Sequence, residues 1–298
     1  MVVKPKTFAI VGGDRRNIEL SRLLNKQGHT VKLFGFVNYE GETPMQCSSL
    51  EEVVAEADCV IGPIPCSHNN VTLNAPFLAA PIHADELFQL MQPHQAFLAG
   101  VINPKLKETA ERRGIEVIDM LTREELLVMN AIPTAEGAIK IAIDETDITL
   151  HGNLMMVIGY GRIGKILSAM LRGIGARVLA VVNSEEAAAL AEASGHTSVM
   201  HTEMESRLKD AAVIFNTVPE ILLDKTNMRH IRKNTLIVDL ASPPYGVDAN
   251  DSRNFGFKVL FTNSLPGKVA PVTTAKYILK TVVSILNEKG GSQDETGK

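Results

Sequence analysis

The stretch from Leu154 to Val182 constrains this chain most. Five apolar residues, 154–158 (LMMVI), run into Gly159-Tyr160-Gly161-Arg162-Ile163-Gly164, and an apolar helical pattern follows over 163–172. A further apolar run, 177–182 (RVLAVV), comes next. Strand, glycine turn, helix and parallel strand make a βαβ unit, in which each glycine has a separate task. Gly159 permits the tight turn, Gly161 lets the backbone approach a pyrophosphate, and Gly164 lets helix and strand pack closely. The start of the helix offers unpaired N–H groups and the positive end of its dipole to phosphate. A glycine turn alone also occurs in α/β folds without a ligand. With strand and helix flanking it, a dinucleotide site is the expectation.

The residues that end 177–182 bear on which dinucleotide. NAD enzymes carry a carboxylate about 20 residues beyond the glycines, on the ribose 2′-hydroxyl. Here Val182 is followed by Asn183 and Ser184, and the acids Glu185 and Glu186 come just after. The uncharged pair removes the carboxylate that would repel a 2′-phosphate, and both side chains can donate to one. Arg162 adds a cation at the turn. NADP is the expected cofactor, with NAD the alternative that Glu185 keeps open.

The same device opens the chain. Residues 7–11 (TFAIV) lead into Gly12-Gly13, a helical pattern through Ile18, Leu20, Leu23 and Leu24, a stop at Gly28, and the run Val31-Lys32-Leu33-Phe34. Further buried strands are expected at 58–61, 96–98 and 115–118, with helices around 50–56, 84–91 and 104–113. After the second glycine turn, strands at 213–215, 235–239 and 258–261 continue the alternation. The expected fold class is α/β, two Rossmann-like doubly wound parallel-sheet domains with an interdomain cleft. Residues 1–131 would form an N-terminal, substrate-side domain and 132–268 the NADP-binding domain. Residues 269–298 would hold a C-terminal helix (273–287) that topology directs back to the first domain, then a frayed polar tail from Gly290. Thr134, with Pro133 before it, reads as the N-cap of a helix linking the two domains. Ligands of doubly wound sheets sit at the carboxyl ends of strands. There lie Asn216-Thr217-Val218-Pro219 and Asp239-Leu240-Ala241-Ser242, whose backbones would flank the nicotinamide and its ribose.

Composition narrows the partners. A net charge of −4 without a Lys/Arg cluster argues against nucleic acid, while a small anion needs only a few local cations. Cys47, Cys59 and Cys66 are odd in number and form no C-x-x-C pair, which suits a reducing compartment. Cys59 reads as core, and Cys66, in a loop, as inert. No run approaching a membrane span is expected, and Lys4 and Lys6 lead straight into a strand without a signal-like segment. A cytoplasmic location follows as the expectation. The eight histidines show no ligand spacing, so no metal site is expected.

Several segments together resemble one family, the A subunit of bacterial dipicolinate synthase. They are Val11-Gly12-Gly13-Asp14 with Arg16, Asn130-Ala131-Ile132-Pro133-Thr134-Ala135-Glu136-Gly137, the cofactor turn, Asn216–Pro219, Asp239–Ser242 and Leu265-Pro266-Gly267-Lys268-Val269-Ala270-Pro271. The resemblance implies a fold like that of D-2-hydroxyacid dehydrogenases and oxidation of dihydrodipicolinate to dipicolinate during spore formation. It also implies a separate B subunit; a homo-oligomer is the expected assembly. Where the family often has two glycines after the DLAS segment, this chain has Pro244-Tyr245-Gly246, so Tyr245 would narrow the nicotinamide side.

A cyclic dicarboxylate substrate demands cations or N–H donors. Arg16 and the N–H groups from Gly13 to Arg15 are candidates, as is Thr134, which could donate instead of capping. Glu136 is the nearest candidate base, although an early helical Glu ordinarily just complements the dipole. Asn130 would orient the substrate. Ser67 and His68, in the loop 62–70, could meet a carboxylate or carry a proton. Two alternatives stay open, namely another 2-hydroxyacid or alanine-type dehydrogenase and a non-catalytic NADP-binding regulatory protein. The first predicts a His–carboxylate pair, which spacing does not reveal.

Overall fold

A computed structural model of the chain describes residues 6–295, with side chains to Lys289. Lys4 and the last three residues of the expected tail lie outside the described residues. The described residues group into two units, one running to Met129 and resuming at Ala270, the other spanning Asn130–Val269.

The first unit opens with β1 (Thr7–Val11), α1 (Arg15–Lys26), β2 (Thr30–Phe34), α2 (Leu50–Val54) and β3 (Cys59–Ile61). A small antiparallel pair, β4 (Thr72–Leu73) and β5 (Ile82–His83), precedes α3 (Ala84–Leu90), β6 (Ala96–Ala99), α4 (Pro104–Glu111) and β7 (Glu116–Asp119). The five-stranded sheet is parallel throughout, in the order β2-β1-β3-β6-β7. This is the flavodoxin-like variant of the doubly wound fold. β1, β3 and β6 are buried along nearly their whole length because helices cover both faces, which explains their unbroken apolar sequences.

A long helix, α5 (Glu124–Asp144), carries the chain into the second unit. It corrects the reading of Thr134 as an N-cap. The helix begins ten residues earlier, with Glu124 and Glu125 complementing its first turn, and Pro133 lies inside it. Mid-helix, the Thr134 hydroxyl donates to the Asn130 carbonyl at 2.8 Å, a bond back along its own helix. α5 also corrects the expectation that no segment approaches a membrane span. By length and composition it would suffice, with a mean hydropathy of 1.4 over its most apolar 18 residues. Its apolarity has a local use, since Ala135, Ala138 and Ala142 are buried in the core of the second unit.

The second unit continues with β8 (Leu154–Ile158), α6 (Arg162–Gly173), β9 (Arg177–Val182), α7 (Glu185–Ala193) and β10 (Thr197–Met200). A 3-10 segment (His201–Asp210) leads to β11 (Val213–Asn216), α8 (Lys225–Met228), β12 (Leu236–Asp239), α9 (Ala249–Phe255), β13 (Val259–Phe261) and α10 (Leu265–Val269). Its six parallel strands lie in the order β10-β9-β8-β11-β12-β13, that of the dinucleotide-binding doubly wound sheet. Two motifs quoted for the family meet here. A Cβ on Gly137 of α5 would lie 3.2 Å from Leu265, so the missing side chain lets the buried leucine of α10 seat against α5.

The last helix, α11 (Pro271–Glu295), belongs to the first unit. Ala275, Ile278, Leu279, Val282 and Ile285 enter the same core as Ile18 and Leu24 of α1. Arg123 and Glu288 add an ion pair at 2.5 Å. The tail expected to fray from Gly290 is instead helical in backbone to Glu295.

Candidate functional site

The glycine turn stands at the carboxyl end of β8, in the middle of the second sheet. Gly159 has φ +93°, in the left-handed region that favours glycine, and a Cβ there would fall 2.5 Å from Thr217 Oγ1. A Cβ on Gly164 would fall 2.0 Å from the Gly159 carbonyl oxygen. Both glycines are therefore required by packing within the protein. Gly161 is different, because a Cβ there meets no atom within 4 Å. Gly161 is also the N-cap of α6, and no side chain caps that helix. The first helical bond runs from Lys165 N–H to the Gly161 carbonyl, and glycine at the N-cap supplies no side-chain acceptor to the first turn. Open space over an uncapped helix start is what a pyrophosphate requires.

Of the remaining turn residues, Arg162 is exposed, Ile163 joins the core at its margin, and Tyr160 is buried. The Tyr160 ring meets His196 edge-on, with centroids 6.2 Å apart. His196 is buried without a partner for either ring nitrogen, and burial and Arg172 hold its pKa below the usual histidine value.

The turn is flanked on both sides. At the end of β9, Asn183 and Ser184 are exposed, and Ser184 Oγ caps α7 by accepting from Ala187 N–H at 3.2 Å. Glu185 and Glu186 stand in the first turn of that helix. On the other side, Thr217 Oγ1 donates to the Ile158 carbonyl at 2.9 Å, tying Asn216–Pro219 to β8. Asn216 Nδ2 donates to the Val218 carbonyl and to Asp239 Oδ1, at 2.9 and 2.8 Å. The fully buried Asp239 carboxylate also accepts from Ala241 N–H at 3.0 Å, Gly246 N–H at 2.8 Å and Val247 N–H at 3.0 Å. Four donors surround one charge, so the loop carrying Leu240, Ala241 and Ser242 is fixed from within.

For two residues of this network the sequence motifs mark the position but not the role. Asp239 is a strand-end residue whose role depends on partners seven and eight residues on, and Gly246 reads only as part of a turn. A Cβ on Gly246 would lie 2.2 Å from Asn216 Nδ2. Tyr245 beside it has φ +70° and sets its ring against Phe261, centroids 5.1 Å apart.

The residues expected to handle substrate divide between the units, with Arg16 and His68 in the first and Asn130, Thr134 and Glu136 in the second. Arg16 is neither a solvated helix residue nor an unengaged cation. It is 3% exposed, makes a two-pronged pair with Asp14 (Nη2–Oδ2 2.7 Å) and donates to the Ile64 carbonyl. The N–H cradle expected from Gly13 to Arg15 is corrected at one end. Gly13 N–H donates to the Asn74 carbonyl at 2.8 Å, and Asp14 Oδ1 caps α1 by accepting from Arg16 N–H at 2.9 Å. An Asp directly before an apolar helical pattern is a legible N-cap signal. The two glycine turns thus differ, the first being closed by its own carboxylate and the second uncapped.

His68 is exposed, and Ser67 Oγ is engaged within its own loop, accepting from Asn70 N–H at 2.9 Å. Cys66 is buried, and burial pushes its thiol up to about 12. Along α5, Glu136 is exposed, while Asn130 Oδ1 is buried without a hydrogen-bond partner. Among the described residues no three His, Cys, Asp or Glu side chains group as a metal site.

Comparison with known proteins adds the lineage. Residues 7–121 match the family model of the N-terminal domain of the dipicolinate synthase A subunit, and residues 140–255 that of shikimate/quinate 5-dehydrogenase. The chain is 29% identical over 294 residues to the dipicolinate synthase A subunit of Bacillus subtilis (strain 168), covering 98% of both chains. A crystal structure of the dipicolinate synthase A subunit from Bacillus halodurans matches with a TM-score of 0.86 and 26% identity, over 94% of this chain and 97% of that one. The crystal structure of the Bacillus subtilis counterpart matches with a TM-score of 0.85 and 28% identity, over 97% and 98%. Motifs, fold and comparisons agree: the chain is similar along nearly its whole length to dipicolinate synthase A subunits, and its build is that of a dehydrogenase.

Proposed function

We propose that the chain oxidises dihydrodipicolinate to dipicolinate, with the hydride passing to NADP. The observation that carries this reading is the uncapped start of α6 beneath open space at Gly161, in a chain similar to the dipicolinate synthase A subunit over 98% of its length. The substrate loses two hydrogens, one as hydride and one as a proton, and the electron pair left behind completes the aromatic ring. When bound, the nicotinamide supplies the hydride acceptor.

Aromatisation makes the reaction strongly downhill, so the chain's work is chiefly orientation. The amides at the start of α6 would hold the pyrophosphate, and the Asp239-braced loop would hold the nicotinamide ribose. Asn183 is exposed, and the Ser184 hydroxyl, while accepting from Ala187, keeps its own proton to donate to a 2′-phosphate. Glu136 and His68 are exposed and remain the candidates for proton removal. Arg16 would meet a substrate carboxylate by sharing the guanidinium that Asp14 now holds, with Asn130 and Thr134 as orienting groups. The reading includes a B-subunit partner, a homo-oligomer, a cytoplasmic location and a role in spore formation.

The test is turnover of dihydrodipicolinate by the purified chain with and without the B subunit, followed by the absorbance of reduced cofactor. Formation of NADPH together with dipicolinate is expected. Dipicolinate formed without reduced cofactor, or robust turnover of a 2-hydroxyacid instead, would overturn it.

A further inference from the structure

The second unit has another concave feature, at the edge of its sheet opposite the glycine turn. A cavity of about 610 Å³ opens where β8, β9 and β10 begin, within the size range of small-molecule sites. β8 has five residues, so at about 3.3 Å per residue roughly 16 Å separates this edge from the turn. Four arginines line the cavity (Arg172, Arg177, Arg207 and Arg232) against a single carboxylate, Asp210. In a chain of net charge −4 this is a local reversal of sign.

One carboxylate cannot neutralise four cations. Arg207 Nε pairs with Asp210 at 3.1 Å, and Arg177 Nε donates to the Gly152 carbonyl at 3.0 Å, which leaves the charge of Arg177 in place. Arg172 and Arg232 form no ion pair among the described residues. Gly195, also in the cavity wall, makes room for the Arg172 guanidinium, since a Cβ there would lie 2.7 Å from its Cζ. Four forked, permanently charged donors around one polar space match a compact oxyanion with several negative oxygens.

We infer that this cavity is a second ligand site, for a polyvalent oxyanion of the phosphate or polycarboxylate type, distinct from the dinucleotide turn. The site rests on the arginine cluster alone and does not depend on the identity of the cofactor.

The experiment is calorimetric titration of the full chain with inorganic pyrophosphate and, separately, citrate. Three proteins are compared: wild type, Arg177→Gln/Arg232→Gln and Arg162→Gln. The cavity double variant should weaken binding at least about tenfold, roughly 1.4 kcal/mol, while the Kd for NADP stays as in wild type. Arg162→Gln, at the other end of the sheet, should leave that component of binding in place. Pyrophosphate alone marks a phosphate ligand, citrate alone a polycarboxylate, and both together the shared chemistry. Should the double variant not fold, Arg232→Gln alone, exposed and outside the described ion pairs, serves in its place. Unchanged binding of both anions by the cavity variant, or no binding of either by wild type at millimolar concentration, overturns the inference. Failure of the dinucleotide reading would show separately, in Gly161→Ala titrated with NADP.

Discussion

The substitution Gly161→Ala separates ligand space from fold space at the glycine turn. The added methyl meets no atom within 4 Å, and the backbone φ of −83° is one that alanine adopts freely. Two small effects on stability oppose each other. Alanine is a poorer N-cap than glycine, by up to about 1 kcal/mol, and it restricts the unfolded chain, which returns about 0.4–1 kcal/mol. The melting temperature should therefore move by no more than about 4 °C. Dinucleotide binding should respond far more strongly. The methyl stands between the pyrophosphate and the amides at the start of α6, and two lost charge-assisted bonds at about 1.5–3 kcal/mol each total roughly 3–6 kcal/mol. That corresponds to a Kd raised from about a hundredfold to above ten-thousandfold, measured by calorimetry with NADP beside a circular-dichroism melt. An affinity within threefold of wild type would refute the placement of the dinucleotide. A melt lowered by about 10 °C would refute the open space.

Asp239→Asn should destabilise the chain by about 2–6 kcal/mol in urea unfolding, because the amide –NH2 leaves two of the four donors around that carboxylate buried and unpaired. The thiols of Cys59 and Cys66, pushed by burial from 9.0 to about 12, should not react with a disulfide reagent in the native chain at pH 8. Their folded pKa values lie above the unfolded ones, so their contribution to stability is present below pH 9 and is lost as pH rises toward about 12; Cys66→Ala should shallow that alkaline decline. His196 has its pKa lowered by burial, so the unfolded chain binds a proton there more readily than the fold does as pH falls through the ordinary 6.5, and stability is lost on that side. His196→Phe should flatten part of the acid loss seen in denaturation at pH 5 against pH 7, and His29, whose pKa is also lowered, should retain its share.

The alternation of strands and helices is legible because helix-covered strands have unbroken apolar sequences and their turns carry glycine. β1, β8 and β9 coincide with their expected runs for that reason. β10 has no such signal. It is a sheet-edge strand of partly buried residues, so its sequence, TSVM, lacks the apolar signature. Pro133 is deceptive in α5, since proline marks a helix start by its missing N–H, whereas here the helix runs through it and tertiary packing of Ala135, Ala138 and Ala142 holds the turns beyond. At the site, the glycine motif shows where phosphate would sit, but not that Gly161, unlike Gly159 and Gly164, is dispensable to packing. The bracing of the opposite rim joins Asn216, Asp239 and Gly246 across two strand ends, and no local periodicity encodes such a contact.

The cap on α1 has a consequence for how many nucleotides such a chain can accept. Asp14 is held in the same chain as the helix end it serves, so it competes there at an effective concentration that a free phosphate seldom reaches. It is also paired with Arg16, so a phosphate entering at the helix start would have to displace an internal anion and leave the buried guanidinium and the half-buried carboxylate to find new partners. Two copies of one folding device thus carry opposite occupancy rules. One is self-liganded, and the other is open to ligands from solution.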